Sequence, residues 1–205
     1  MHARRRLSHA LRTIPLVGLN GIWWRAVGHH LLGGPPPGAP PGSVPQPLWP
    51  GGSSRFGARY TPKGGPPAVY LASDPQTALQ EVNAIFAIPN GPTIALSAPP
   101  YTLCQVTVAL DDVLDARTRA TEAALGTSTQ ELTGDWRHLA GAGGIPPTQL
   151  LGLAAHASAR IVAIVAPSSK NIGKGSILAV FPDRLAGGNF IEVVDPTGTL
   201  RQRLP

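Results

Sequence analysis

Apolar positions along the chain recur with two spacings. Alternation with a period of two marks strands: in CQVTVAL, residues 104–110, Cys104, Val106, Val108 and Leu110 share one face while Gln105, Thr107 and Ala109 take the other. GIWWRAV (21–27) is the first strand candidate, rich in aromatic and β-favouring residues and interrupted by Arg25. AVYLA (68–72), TIAL (93–96), RIVAIVA (160–166), SILAVF (176–181) and FIEVVD (190–195) read as further strands. Helical spacing begins after Asp74, an N-cap followed by Pro75 at the favoured first helical position, with Ala78, Leu79, Val82, Ile85 and Phe86 on one apolar stripe. At about 100° per residue, Glu81 falls roughly 40° outside that stripe, on the rim of the buried face. Residues 117–125 and 147–158, rich in alanine or leucine, are the other helical candidates.

Residues 1–20 read as a weakly amphipathic, basic lead-in, and residues 21–205 as one folded domain. GGPPPGAPPGSVPQPLWPGGSS (33–54) is too rich in Pro and Gly for regular structure. Too little chain precedes it to form a separate core, so it is expected to be a long polyproline-like surface loop, densest over 33–50, rather than a boundary. The mixed order of elements, without internal repeat, predicts an α+β fold with a mixed or antiparallel sheet core and flanking helices.

Composition narrows the functional classes. A chain of 205 residues can bury a sizeable single core, and 24 Gly with 23 Pro argue against a helical bundle. Cys104 stands alone, so no intrachain disulfide or CxxC motif is available, and a reducing, cytoplasmic setting is expected. The net charge of +6 is unevenly placed: residues 1–73 hold eight Lys/Arg and no Asp or Glu, whereas residues 74–205 hold nine against eleven. Four arginines lie in the first twelve residues, and without them the charge falls to +2. Such a tail is usually a solvated end, which argues against direct nucleic-acid binding. No run of 18 apolar residues suggests a transmembrane helix, and residues 1–10 are followed by no secretory h-region.

The candidate chemistry concentrates in RFGARYTPKGGPPAVYLASDPQTALQE, residues 55–81. Arg55 and Arg59 share a Gly-containing turn just ahead of the strand that carries Tyr70, and Arg25 adds a guanidinium inside a predicted strand, where burial calls for an anionic partner. Forked guanidiniums suit a pyrophosphate because they bond its oxygens two at a time. Tyr70 fits an ordinary sheet position equally well, but its face would also attract a cationic ring. Glu81 at the rim of the apolar stripe can be partly desolvated and still reach a ligand. APSSKNIGKGS (166–176) runs from a strand into a polar loop without the GxxxxGK[ST] order, with Ser168 placed to bond a ligand at the mouth of a sheet. No HExxH or other metal spacing and no GxSxG elbow is present, so metal-independent chemistry is expected.

Taken in order, WWRAV, RFGARYTPKG, VYLASDPQTALQE and APSS followed by SILAVFPD resemble the RES domain, over about residues 21–195. The resemblance implies a fold similar to ADP-ribosyltransferase toxins and a toxin that consumes NAD+ by cleaving its nicotinamide–ribose bond, as a glycohydrolase or phosphorylase. Transfer of ADP-ribose to a protein, and nucleotide binding without turnover, are the alternatives. It implies NAD+ as substrate with no separate cofactor, an Xre-like antitoxin as partner, nucleic acid reached through that antitoxin alone, no membrane, and leaves homodimer formation open. Carried over by position, Glu81, Arg59 and Tyr70 are the catalytic candidates, and Arg25, Arg55 and Ser168 the substrate-binding ones, with Ser169 adjacent to the motif serine. Ala58 stands where the family has Gly, Thr61 where it has Asn, and the Pro-rich stretch is longer than the family's usual connection.

Overall fold

In chain order the elements are α1 (His2–Thr13), β1 (Val17–Gly28), α2 (Gly51–Phe56), β2 (Val69–Ala72), α3 (Pro75–Glu81), β3 (Ile85–Ala87), β4 (Thr93–Ala95) and β5 (Tyr101–Asp115). There follow α4 (Arg119–Leu125), α5 (Thr129–Thr133), α6 (Trp136–Gly141), α7 (Pro147–Ala157), β6 (Ala163–Pro167), β7 (Ser176–Val180), β8 (Phe190–Val193) and β9 (Arg203–Leu204). The computed structural model describes residues 2–34, 45–88, 91–96 and 98–205, with side chains from residue 7 onward.

The main sheet closes on itself. β1 runs antiparallel along β5, β5 runs parallel to β6, and β6, β7 and β2 continue antiparallel. β2 then meets β1 at one registered pair, Trp24 with Ala72, which completes the ring β1-β2-β7-β6-β5. β8 and β9 extend outward from β5, and β3 with β4 form a separate hairpin. Alternation sends Trp23, Leu71, Cys104, Val106, Val108 and Leu178 into one core, while Ile164, Ala166, Ile177 and Phe181 on the opposite face pack beneath Leu11, Leu132, Leu151 and Ala155 of the helical layer. The architecture is the α+β arrangement of a mixed sheet with flanking helices. No helix among the described residues is long and apolar enough to cross a membrane.

Four local expectations change. The lead-in forms the helix α1, fastened by Arg160, whose Nη1 donates to the carbonyls of Leu11 at 3.0 Å and Ile14 at 3.2 Å. The first strand starts at Val17 rather than residue 21. The Pro/Gly-rich stretch is ordered at its end: Leu48 is fully buried, its N–H donates to Gln202 Oε1 at 2.7 Å, and Gly51–Phe56 is helical; residues 35–44 lie outside the described residues. The helix opened by Asp74 stops at Glu81, because Asn83 adopts a left-handed φ of 55° and turns the chain, so Ile85 and Phe86 enter β3 instead of the apolar stripe.

Candidate active site

α3 and the loop after β6 build one wall of a cleft. Asp74 caps α3: its Oδ1 accepts from the Thr77 N–H at 2.8 Å, and its Oδ2 accepts from Thr77 Oγ1 at 2.6 Å and Ser73 Oγ at 2.9 Å. Burial opposes ionisation of Asp74, but these hydrogen bonds outweigh it and hold the carboxyl below the usual range. Asn171 Nδ2 donates to Thr77 Oγ1 at 2.8 Å and ties the loop to the same helix. Ser168 is wholly buried, and its Oγ accepts from the N–H groups of Lys170 at 3.1 Å and Asn171 at 3.0 Å. With its lone pairs so engaged, its single proton goes to Glu81 Oε1 at 2.6 Å. Glu81, the last residue of α3, is thus fixed by a group that can only donate to it.

The Arg59 turn forms the floor. Ala58 and Thr61 exchange backbone hydrogen bonds at 2.7 and 3.2 Å, and Gln149 Nε2 of α7 donates to the Ala58 carbonyl at 3.0 Å. The Tyr70 hydroxyl accepts from the Tyr60 N–H at 2.9 Å and lies 3.3 Å from Thr61 Oγ1. Burial pushes the Tyr70 phenol up to about 12, so at neutral pH the hydroxyl is a neutral anchor for the turn. Arg59, 8% exposed, spans the cleft: Nη1 donates to the carbonyls of Leu132 at 2.9 Å and Gly134 at 2.8 Å, and Nη2 to Ser169 Oγ at 2.6 Å.

The sequence-selected residues separate in space. Arg25, Arg59, Tyr70 and Glu81 line one cavity of about 320 Å³, where β1 and β2 part beyond their single registered pair. Arg25 Nη2 donates to the Trp49 carbonyl at 3.0 Å, whereas its Nη1 is buried without a hydrogen-bond partner. Burial lowers the Arg25 pKa to about 10, against the opposing influence of Cys104; the group is still a cation at neutral pH, and a bound anion would offset the cost of burying it. Arg55 is not brought to the cavity wall. It is exposed in the last turn of α2, with its guanidinium 5.3 Å from the Phe56 ring centroid. Ser168 stands behind the wall, holding Glu81, and Ser169 lines it.

Sequence reasoning missed Trp136, Arg137 and Lys170, which also line the cavity. The available signal was Asp135, an N-cap that accepts from the N–H groups of Arg137 and His138 and so opens α6 with Trp136 at its first position. The Trp136 ring lies beside Gly57, whose φ of 79° turns the chain into the Arg59 turn. Among the described residues no three His, Cys, Asp or Glu side chains converge on a point that could hold a metal ion.

What this arrangement offers is one fixed carboxylate in a small cavity whose other charged groups are cations. No curated protein matches the chain. Among solved structures, a chain from the crystal structure of the M. tuberculosis MbcT–MbcA toxin–antitoxin complex aligns with a TM-score of 0.59, at 18% identity, over 93% of this chain and 90% of that one. At that identity the likeness is one of fold. The family model of the RES domain matches residues 22–201, which take in most of the closed sheet, the Arg59 turn, α3 and the Ser168 loop, and the chain therefore belongs to the RES domain family.

Proposed function

We propose that the chain is the toxin of a toxin–antitoxin pair and that it depletes NAD+ by cleaving the nicotinamide–ribose bond. The observation that carries the reading is the Ser168–Glu81 contact, which presents one carboxylate to a cavity whose other charged side chains are all cations. Breaking the C1′–N bond sends the bonding pair with neutral nicotinamide and leaves positive charge on the ribose. A carboxylate held in place before the reaction stabilises that charge without reorganising. Glu81 is the group for this role, and Ser168 holds it in position rather than touching substrate. Arg25, with a buried unpartnered N–H, faces the anionic part of the dinucleotide, and the Tyr70 ring, whose hydroxyl is committed to the turn, offers its face to nicotinamide. Water or inorganic phosphate then takes C1′. NAD+ is the substrate and no separate cofactor is invoked. A toxin of this kind acts in the cytoplasm and needs a neutralising partner, and an Xre-like antitoxin is the one family membership supports.

The test is nicotinamide release by the purified chain. Glu81→Gln keeps the shape of the side chain and removes its charge, and the expected loss is on the order of 10²-fold or more. Undiminished release by a folded Glu81→Gln protein excludes Glu81 from the chemistry.

A further inference from the structure

The cavity is lined by four cationic side chains, Arg25, Arg59, Arg137 and Lys170, against one carboxylate, Glu81. They fall into two pairs. Arg25 and Arg59 are the buried pair: Arg59 is spent on two carbonyls and a serine hydroxyl, while Arg25 bonds the Trp49 carbonyl and keeps Nη1 without a partner. Arg137 and Lys170 are exposed at the mouth, and among the described residues neither side chain has a hydrogen-bond partner or an ion pair. The carboxylate nearest Arg137 in the chain, Asp135, takes the backbone N–H groups of Arg137 and His138 on Oδ1 and forms no ion pair with the Arg137 guanidinium. The Arg137 guanidinium lies 4.6 Å from the Trp136 ring centroid, a stack that orders it without using its N–H donors.

Arg59 sets where these two cations stand. Its Nη1 holds the Leu132 and Gly134 carbonyls, directly ahead of Trp136 and Arg137, and its Nη2 holds Ser169, directly ahead of Lys170. One buried guanidinium thus cross-links the two sides of the mouth and presents an unpaired cation on each. We propose that Arg137 and Lys170 read the diphosphate at the mouth of this cleft and add to the buried N–H of Arg25, with Trp136 positioning Arg137 and Arg59 positioning both sides. The inference rests on reading the cleft as a dinucleotide site, and it assigns the anion to residues other than Arg55. A fork from Arg137 and a point charge from Lys170, on opposite sides, suit a diphosphate, whose charges are spread over two linked groups, better than they suit a single carboxylate.

The experiment is calorimetric titration of the full chain with ADP, and with adenosine as the uncharged control. In the Arg137→Gln/Lys170→Gln double variant, ADP affinity is expected to fall roughly 10- to 100-fold, the scale of losing charge-assisted hydrogen bonds, while adenosine binding and the melting temperature stay unchanged. Trp136→Ala should lose part of that affinity and Trp136→Phe should restore it, a rescue that a purely structural role in α6 would not produce. The single variants Arg137→Gln and Lys170→Gln give the same reading should the double variant fold poorly. Unchanged ADP affinity in the variants overturns the proposal, and so does absence of ADP binding by the wild-type chain. Nicotinamide release from the same preparations keeps the two claims apart. Normal release with unaltered kinetics in the double variant sinks the phosphate assignment alone, whereas ADP binding that depends on both residues, without nicotinamide release, upholds it and sinks the cleavage reading.

Discussion

On the Glu81 side of the cleft, hydrogen bonds run without a gap from Asp74 to Thr77 to Asn171, and from the same loop through Ser168 to Glu81. On the facing side, residues 132–137 have Leu132 buried in the helical layer, but their hydrogen bonds toward the cleft go to one guanidinium, that of Arg59. The Glu81 wall is held by several hydrogen bonds, within the Asp74 cap and across the chain, and the Arg137 wall is held toward the cleft by one guanidinium. The contrast suits the proposed division of labour. A charge that must be in place before the bond breaks gains from rigidity, because reorganisation during the reaction adds to the barrier. A wall that only grips the anion contributes equally before and during the reaction and tolerates a single attachment.

Arg59→Lys is the largest expected break in this contrast. A lysine carries its donors on one nitrogen and cannot bond the Leu132 and Gly134 carbonyls together with Ser169. The cation wall should lose its position while the Asp74–Ser168 chain keeps Glu81 in place. Misplacing a binding wall by about 1 Å can cost on the order of 10²-fold, and that loss in kcat/KM is expected here, mostly as a raised KM. A fall in kcat at unchanged KM would show that Arg59 acts on the reacting bond itself.

Asn171→Ala attacks the other wall. It removes the bond to Thr77 and leaves Ser168 to hold Glu81 through a less restrained loop. One neutral hydrogen bond is worth about 1 kcal/mol, so kcat should fall roughly fivefold with little change in KM. Steady-state nicotinamide release measured on both variants reads the two walls as two different kinetic constants. If both variants shift KM alone, the distinction between the walls is wrong.

The distance along the chain between partners explains what the sequence disclosed. Features set by neighbours in the chain were readable: the alternation of Cys104, Val106 and Val108, the Asp74 cap with Pro75, and Glu81 at the edge of an apolar stripe. Features set by distant partners were not. Arg59 finds its carbonyls 73 and 75 residues along the chain, and Ser168 finds Glu81 across 87 residues, contacts that no local pattern encodes. Residue type suggested that Arg59 would fork onto a ligand, because a guanidinium suits an anion and its protein acceptors were invisible. The spacing of Ile85 and Phe86 fits a helix, and a left-handed Asn83 decides otherwise. Gly152 carries no local sign that a side chain there would overlap the Tyr60 carbonyl beneath the Arg59 turn.

The smallest effect is expected at the far end of the carboxylate wall, and it tests whether that wall is redundant. Asp74→Ala removes the cap of α3, at a cost of about 1 kcal/mol of stability. Since the folded carboxyl titrates below its usual range, the stabilising contribution is fully present above about pH 4, where the unfolded chain is already ionised, and is lost as pH falls through the lower folded value. The difference in stability between wild type and Asp74→Ala should therefore be constant at neutral pH and shrink in acid, as measured by denaturant melts at a series of pH values. Nicotinamide release at neutral pH should drop less than in Asn171→Ala, because Asn171 still reaches Thr77 and Ser168 still donates to Glu81. A larger kinetic loss in Asp74→Ala would mean that Glu81 is positioned through the helix cap, and the Ser168 loop would become the follower rather than the holder.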